Sequence, residues 1–118
     1  MAQGDHRIKF LGRQSRTVLR HLYENAALFI LPSFHEGLPI VALEAANAGA
    51  PMLLSDIQPN LDIGLPARHY FQVGNVDELT AALARPPGEY AVDGAAVSAR
   101  FDWDAIARQT LQIYRDSL

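Results

Sequence analysis

PSFHEGLPIVALEAANAGAP, Pro32 to Pro51, is the stretch on which the reading of this chain turns. An unbroken apolar run, Leu28-Phe29-Ile30-Leu31, leads straight into it, as expected of a strand buried on both faces. Gly37 and Pro39 mark a tight turn and the entry to a helix over about Pro39 to Ala48, which Gly49 and Pro51 stop. Strand, glycine turn and helix together form the repeating unit of an open α/β sheet.

The rest of the chain keeps this alternation. Upstream, Ile8-Lys9-Phe10-Leu11 reads as a strand ended by Gly12. Ser15 then caps a helix to about Ala26 with Leu19, Leu22, Tyr23 and Ala26 on one face. Downstream, Met52-Leu53-Leu54 is a second buried run, and residues 57–68 read as a loop holding one helical turn. His69 to Val73 reads as a further strand. Asn75 and Glu78 form a capping box for a helix carrying Val76, Leu79 and Leu83, ended by Pro86-Pro87-Gly88. Residues 89–100 suit a short helix, and Asp102 caps a final one whose apolar face is Trp103, Ile106, Ala107, Ile113 and Tyr114. Tyr23, Phe29, Phe71 and Tyr114 are core residues. The expected fold class is α/β: a partial, doubly wound, Rossmann-like parallel sheet with helices on both faces. Its ligand edge lies at the carboxyl ends of the strands.

Composition narrows the function classes. With 118 residues, 49% hydrophobic and 19% charged, the chain suits one ordered domain. It has no cysteine, which excludes disulfides, thiol catalysis and cysteine-ligated zinc. The net charge of −3 conceals a basic start: Arg7, Lys9, Arg13, Arg16 and Arg20 stand against Asp5 in residues 1–21. No aromatics are interleaved for base stacking, so these arginines read as a solvated helix face and nucleic acid is not an expected partner. His6, His21, His35 and His69 lack paired ligand spacing, and no metal is expected. Asp102-Trp103-Asp104 reads as a helix cap rather than a metal-binding pair.

The chemistry concentrates in Ser33 to Glu44. Free N–H groups at Gly37, Leu38 and the first helical turn would face an anion, aided by the helix dipole. Gly37 removes a side chain where a ligand approaches the backbone closely. Glu36 and Glu44 repel phosphate but, as acceptor-only groups, suit sugar hydroxyls. A nucleotide-sugar combines both demands. His35 is equally an ordinary loop histidine or a ligand contact. Ser55-Asp56 reaches the same edge after the next strand, where Asp56 is best read as a loop cap.

These residues resemble a family. PSFHEG, LPIVALEA and GAP match the E-x7-E region of the retaining, GT-B-fold glycosyltransferases called group one or family four. Weaker echoes are IKFLG, SDI, YFQVGNVDELTAAL and FDWDAIARQTLQIY. The resemblance implies that Glu44 binds the ribose of a nucleoside diphosphate. It places Glu36 against the transferred sugar at the reacting centre, as the catalytic residue. Gly37 and Leu38 would meet donor sugar and phosphates, with Ser33 and His35 beside them. Gly12 and Arg13 would lie near the base. The parent reaction would move a hexose from a UDP- or GDP-sugar to a hydroxyl acceptor with retention, needing no cofactor.

In that family the donor domain opens with two further strands and a glycine-rich loop bearing an Arg and a Lys, which have no counterpart before Ile8. Residues 1–118 are therefore expected to be an incomplete carboxy-terminal donor-binding domain. Its α/β units would run over about 5–85 and its terminal helices over 86–118, with the amino-terminal acceptor domain missing. The piece alone is expected to be inactive. Its location is expected to be cytoplasmic, with the parent able to touch the cytoplasmic face of a membrane. Missing strands leave an exposed sheet edge, so either the first strand moves in beside Leu28 to Leu31 or a second copy of the chain fills the gap. The rival readings are a non-catalytic α/β association module and a fragment like a sugar-nucleotide epimerase.

Overall fold

Three short parallel strands form the central layer of this computed structural model, which describes residues 5–100, 108, 111 and 112. Strand β1 (Phe29–Leu31) pairs with β2 (Met52–Ser55), and β2 pairs with β3 (Tyr70–Phe71), giving the order β1-β2-β3. Phe29 stands opposite Met52, and Leu54 opposite Tyr70. All four residues of β2 are buried, as the apolar run predicts for the middle strand. The α/β class expected from the alternation is the observed one.

Side chains of β2 alternate between two cores. Met52 and Leu54 face a cluster with Ala42, Leu43, Ala45, Ala46, Ile63 and Val97. Leu53 faces the other way, toward Phe71 and Tyr90, with Leu28, Leu79 and Ala82 packed against them. Helices α1 (Arg16–Asn25), α2 (Ile40–Asn47) and α5 (Gly94–Ala99) border the first cluster, and α4 (Val76–Leu83) borders the second. Helices therefore cover both faces of the sheet. The one-turn helix α3 (Gln58–Leu61) lies in the predicted 57–68 loop.

Local chemistry sets most boundaries. Ser15 accepts from the Val18 N–H at the start of α1. Gly49, at φ +87°, ends α2 in the left-handed region that glycine occupies without strain. Asn75 caps α4 through Glu78 N–H, but Glu78 turns its carboxylate to Gln72 N–H, so the box is only half closed. Asp56 accepts from Val73 N–H at 2.9 Å, the loop-capping role expected of it.

Five expectations are corrected. The strand expected to be buried on both faces at Leu28 to Leu31 is β1, but Phe29 and Leu31 are only half-buried and Ile30 is exposed. Residues 8–11 form no strand and do not move in beside β1; Ile8, Phe10 and Leu11 are exposed. No strand among the described residues pairs with them, and a strand without neighbours makes no ladder. The strand expected over His69 to Val73 shrinks to two residues, because a 3-10 turn (Ala67–His69) precedes it and a turn at Val73-Gly74 follows. Of the three apolar residues expected to anchor α4 only Leu79 is half-buried, while Val76 is 73% and Leu83 48% exposed. On α1 the apolar face is only half-covered, and Leu22 stays exposed. The short helix expected within 89–100 is α5, whereas the final helix after Asp102, with Tyr114, lies outside the described residues.

His69 is buried in the interior, where Nδ1 meets the Met52 carbonyl at 2.9 Å. A carbonyl only accepts, so Nδ1 carries a proton. Burial, and secondarily the charge of Arg68, holds its pKa below the ordinary imidazole value. The unfolded chain therefore binds a proton that the folded one resists. Stability is full above about pH 6.5 and falls as pH drops toward the lowered folded value. A urea midpoint that declines between pH 7 and pH 5 is expected. His69→Gln, which keeps a donor for Met52, should flatten that decline; an equally steep profile in the variant contradicts the assignment.

Candidate functional site

The carboxyl ends of the strands carry the loops that matter. After β1 the chain runs through Ser33, Phe34, His35, Glu36 and Gly37 before an inverse γ-turn centred on Pro39 (φ −79°, ψ 72°). In that turn the Ile40 N–H donates to the Leu38 carbonyl at 2.8 Å. Pro39 is buried and lacks an N–H, so the chain enters α2 at a fixed angle. No side chain caps this helix. Its first intrahelical bond is Leu43 N–H to the Pro39 carbonyl, at 3.1 Å. That leaves the N–H groups of Val41 and Ala42 with the partial positive charge of a helix start.

Gly37 is the telling residue of the loop. Its φ is not in the left-handed region, and a Cβ built on it would find nothing within 4 Å. Neither backbone conformation nor packing within the chain demands glycine here. The space beside it is open.

Glu44 lies in the second turn of α2, half-buried, with 28% of its side chain exposed. Helix α1 supplies its surroundings. Arg16 Nη2 stands 3.5 Å from Glu44 Oε1, while burial and then the Glu44 charge push the Tyr23 hydroxyl pKa up. Arg16 is 83% exposed, so this ion pair is worth well under about 1 kcal/mol and leaves Glu44 available to a ligand. Arg16 was read from sequence as part of a solvated face. Its contact with Glu44 spans 28 residues and could be seen only once α1 was docked on α2.

The other predicted residues fall into place as follows. Glu36 is half-buried and, among the described residues, has no hydrogen-bond or ion-pair partner. His35 is exposed and likewise unpaired among the described residues. Ser33 is half-buried, and its carbonyl accepts from the Ser55 hydroxyl at 2.7 Å, so the loops after β1 and β2 do meet. Gly12 (φ +65°) and Arg13 are exposed just before α1. Phe34, 66% exposed, lies against the turn after β3, where a Cβ on Gly74 would sit 3.4 Å from its ring. An open hollow of about 430 Å³ lines that turn from Gln72 to Asp77. Among the described residues no group of three or more His, Asp or Glu is placed to hold a metal ion. No helix of the described residues is long and apolar enough to cross a membrane.

The glycosyl transferases group 1 family matches residues 2–86, which include both strand-end loops and all of α2. An uncharacterized glycosyltransferase of Methanocaldococcus jannaschii is 30% identical over 93% of the chain and 30% of its own length. The O-antigen chain mannosyltransferase B of Escherichia coli is 26% identical over 92% of the chain and 30% of its own length. The D-inositol 3-phosphate glycosyltransferase of Mycobacterium leprae is 30% identical over 95% of the chain and 28% of its own length. No solved structure matches the chain. The chain thus spans under a third of the length of these relatives. By the match over residues 2–86 and the 30% identity, over 93% of its length, to the Methanocaldococcus jannaschii protein, the chain belongs to the group 1 glycosyltransferases.

Proposed function

We propose that this chain is the donor-binding portion of a glycosyltransferase that moves a hexose from a UDP- or GDP-sugar to a hydroxyl acceptor with retention. The observation that carries the reading is the start of α2. An uncapped helix mouth and an open Gly37 stand beside a half-buried acid that no strong partner occupies. The diphosphate would lie against the N–H groups of Gly37, Leu38 and the first turn of α2. Those donors would hold the negative charge that grows on the leaving group, in place of a metal. Glu44 would accept the ribose hydroxyls, and Glu36, unpaired, would face the transferred sugar. Ser33 and His35 would flank the sugar, with Gly12 and Arg13 near the base. The acceptor would be held by an amino-terminal domain, so these residues alone bind without turnover. The work would be done in the cytoplasm, with the parent able to rest on the membrane face.

Titration calorimetry of the chain with UDP, GDP and their hexose conjugates tests the reading. Weak binding is expected, and Glu44→Ala should reduce it roughly 10- to 100-fold, the worth of hydrogen bonds to a charged acceptor. Heat from none of these ligands, in a chain shown to be folded, removes the donor reading. It leaves an association module in which exposed Ile8, Phe10 and Leu11 serve contact with a second copy.

A further inference from the structure

The buried polar residues at the end of β2 form a chain of hydrogen bonds with a fixed direction. Ser55 and Asn60 are both fully buried. Asn60 Nδ2 donates to the Ser55 carbonyl at 3.0 Å and to Ser55 Oγ at 3.1 Å. With its hydroxyl oxygen already accepting, the single Ser55 hydroxyl proton is turned outward. It goes to the Ser33 carbonyl at 2.7 Å. Turning the Asn60 amide over would set its oxygen against the Ser55 carbonyl oxygen. It would also draw the hydroxyl proton away from Ser33, so only one orientation satisfies the set.

Asn60 is itself held. Its carbonyl accepts from the Tyr70 hydroxyl at 2.7 Å, and its N–H donates to the Ile57 carbonyl at 3.0 Å. Its side-chain oxygen, by contrast, is buried with no partner among the described residues. A buried acceptor left unpaired is a standing cost that an apolar side chain at this position would avoid. The donations from Nδ2 are what an apolar residue could not supply. Their end point is the second residue of PSFHEG, the loop that presents Glu36 and Gly37.

We infer that Ser55 and Asn60 are positioning residues: Asn60 orients the Ser55 hydroxyl, and that hydroxyl pins the Ser33 carbonyl so that the loop from Phe34 to Leu38 is preformed for the donor. The inference deepens the donor-site reading and rests on it for the ligand, but the pinning itself is a property of the chain alone. Preforming the loop removes an ordering cost that binding must otherwise meet.

The test separates the two. Backbone order parameters read the pinning without ligand, and UDP and GDP titration reads its use. Ser55→Ala is expected to lower the order parameters of Phe34 to Leu38 from about 0.85 to below about 0.6, with those of α4 unchanged. Ser55→Thr, which restores a hydroxyl, should return them to the original values, and nucleotide affinity should fall and recover in step. Asn60→Leu, which keeps the branched outline but loses Nδ2, should match Ser55→Ala in the loop. If Ser55→Ala leaves the loop order parameters unchanged, or lowers those of α4 equally, the pinning is wrong. If the loop responds and neither nucleotide binds even the unaltered chain, the donor reading fails while the pinning stands. If the loop loosens and affinity is unmoved, the preforming role is refuted. Should the alanine variant not fold, the Ser55 hydroxyl proton of the unaltered chain decides. A slowly exchanging resonance is expected, and a fast-exchanging one overturns the inference.

Discussion

Gly94→Ala is expected to destabilise the chain by about 3 kcal/mol, at the upper end of overpacking penalties. Gly94 opens α5, and a Cβ there would stand 2.3 Å from the Ala46 carbonyl oxygen, 3.3 Å from its carbon and 3.6 Å from Asn47 Cα. All three are backbone atoms of α2, so no side chain can swing aside. In an open helix the same exchange would gain up to about 1 kcal/mol from propensity. Here contact reverses the sign. α5 would have to lift from α2, straining the bond from Ser98 Oγ to Asn47 Oδ1 and uncovering buried Val97. A melting temperature lowered by roughly 10–20 °C is expected. Ala95→Ser, at the exposed neighbour, should lie within about 0.5 kcal/mol of the parent. Equal stability of Gly94→Ala and the parent would show that α5 does not sit on α2 as described.

Leu43→Ala is expected to cost about 2–5 kcal/mol. Leu43 is completely buried on α2, within the cluster that includes Met52, Leu54 and Ile63. Truncation removes the transfer energy of the side chain and leaves a void. Its neighbours on the same helix, Ala42, Ala45 and Ala46, are too short to fill it. Urea denaturation gives the measurement: a midpoint displaced by this amount with an unchanged slope. Val41→Ala, two residues earlier and 39% exposed, should cost under about 1 kcal/mol. Were the two variants alike, the inward face of α2 would have been assigned wrongly.

What could be read from the residues follows from how local each signal is. The run at Met52 to Leu54 reveals β2 because a strand covered on both faces needs no other pattern, while the run at Leu28 to Leu31 reveals β1 as a strand but not its burial, since Ile30 stays exposed. Gly49 and the oxygens of Ser15 and Asn75 mark helix ends because capping acts over three or four residues. Ile8 to Leu11 misleads because a short apolar string states a capacity for pairing, not a partner, and a strand with nothing beside it makes no ladder. His69 was placed in a strand since its burial depends on Tyr90, twenty-one residues on, whose ring meets it edge-on at 6.2 Å. The placement of Glu36 and Gly37 on the loop and of Glu44 on α2 was legible from their spacing. Arg16, Ser55 and Asn60 were not read as site residues. Each acts by reaching another segment, and separation along the chain hides that.

The alanines of α2 carry a consequence of their own. Ala42, Ala45 and Ala46 are fully buried, and at Ala46 and Asn47 this helix meets Gly94 of α5 backbone to backbone. Such a contact has no long side chains to adopt new rotamers, and a closely packed interior yields little under load. Any displacement of α2 must therefore be that of a stiff rod, carrying its mouth and Glu44 together in fixed proportion. On the proposed donor reading, tolerance for differing sugars resides in the segments around the rod, and variation among cousins of this chain should gather there rather than along it.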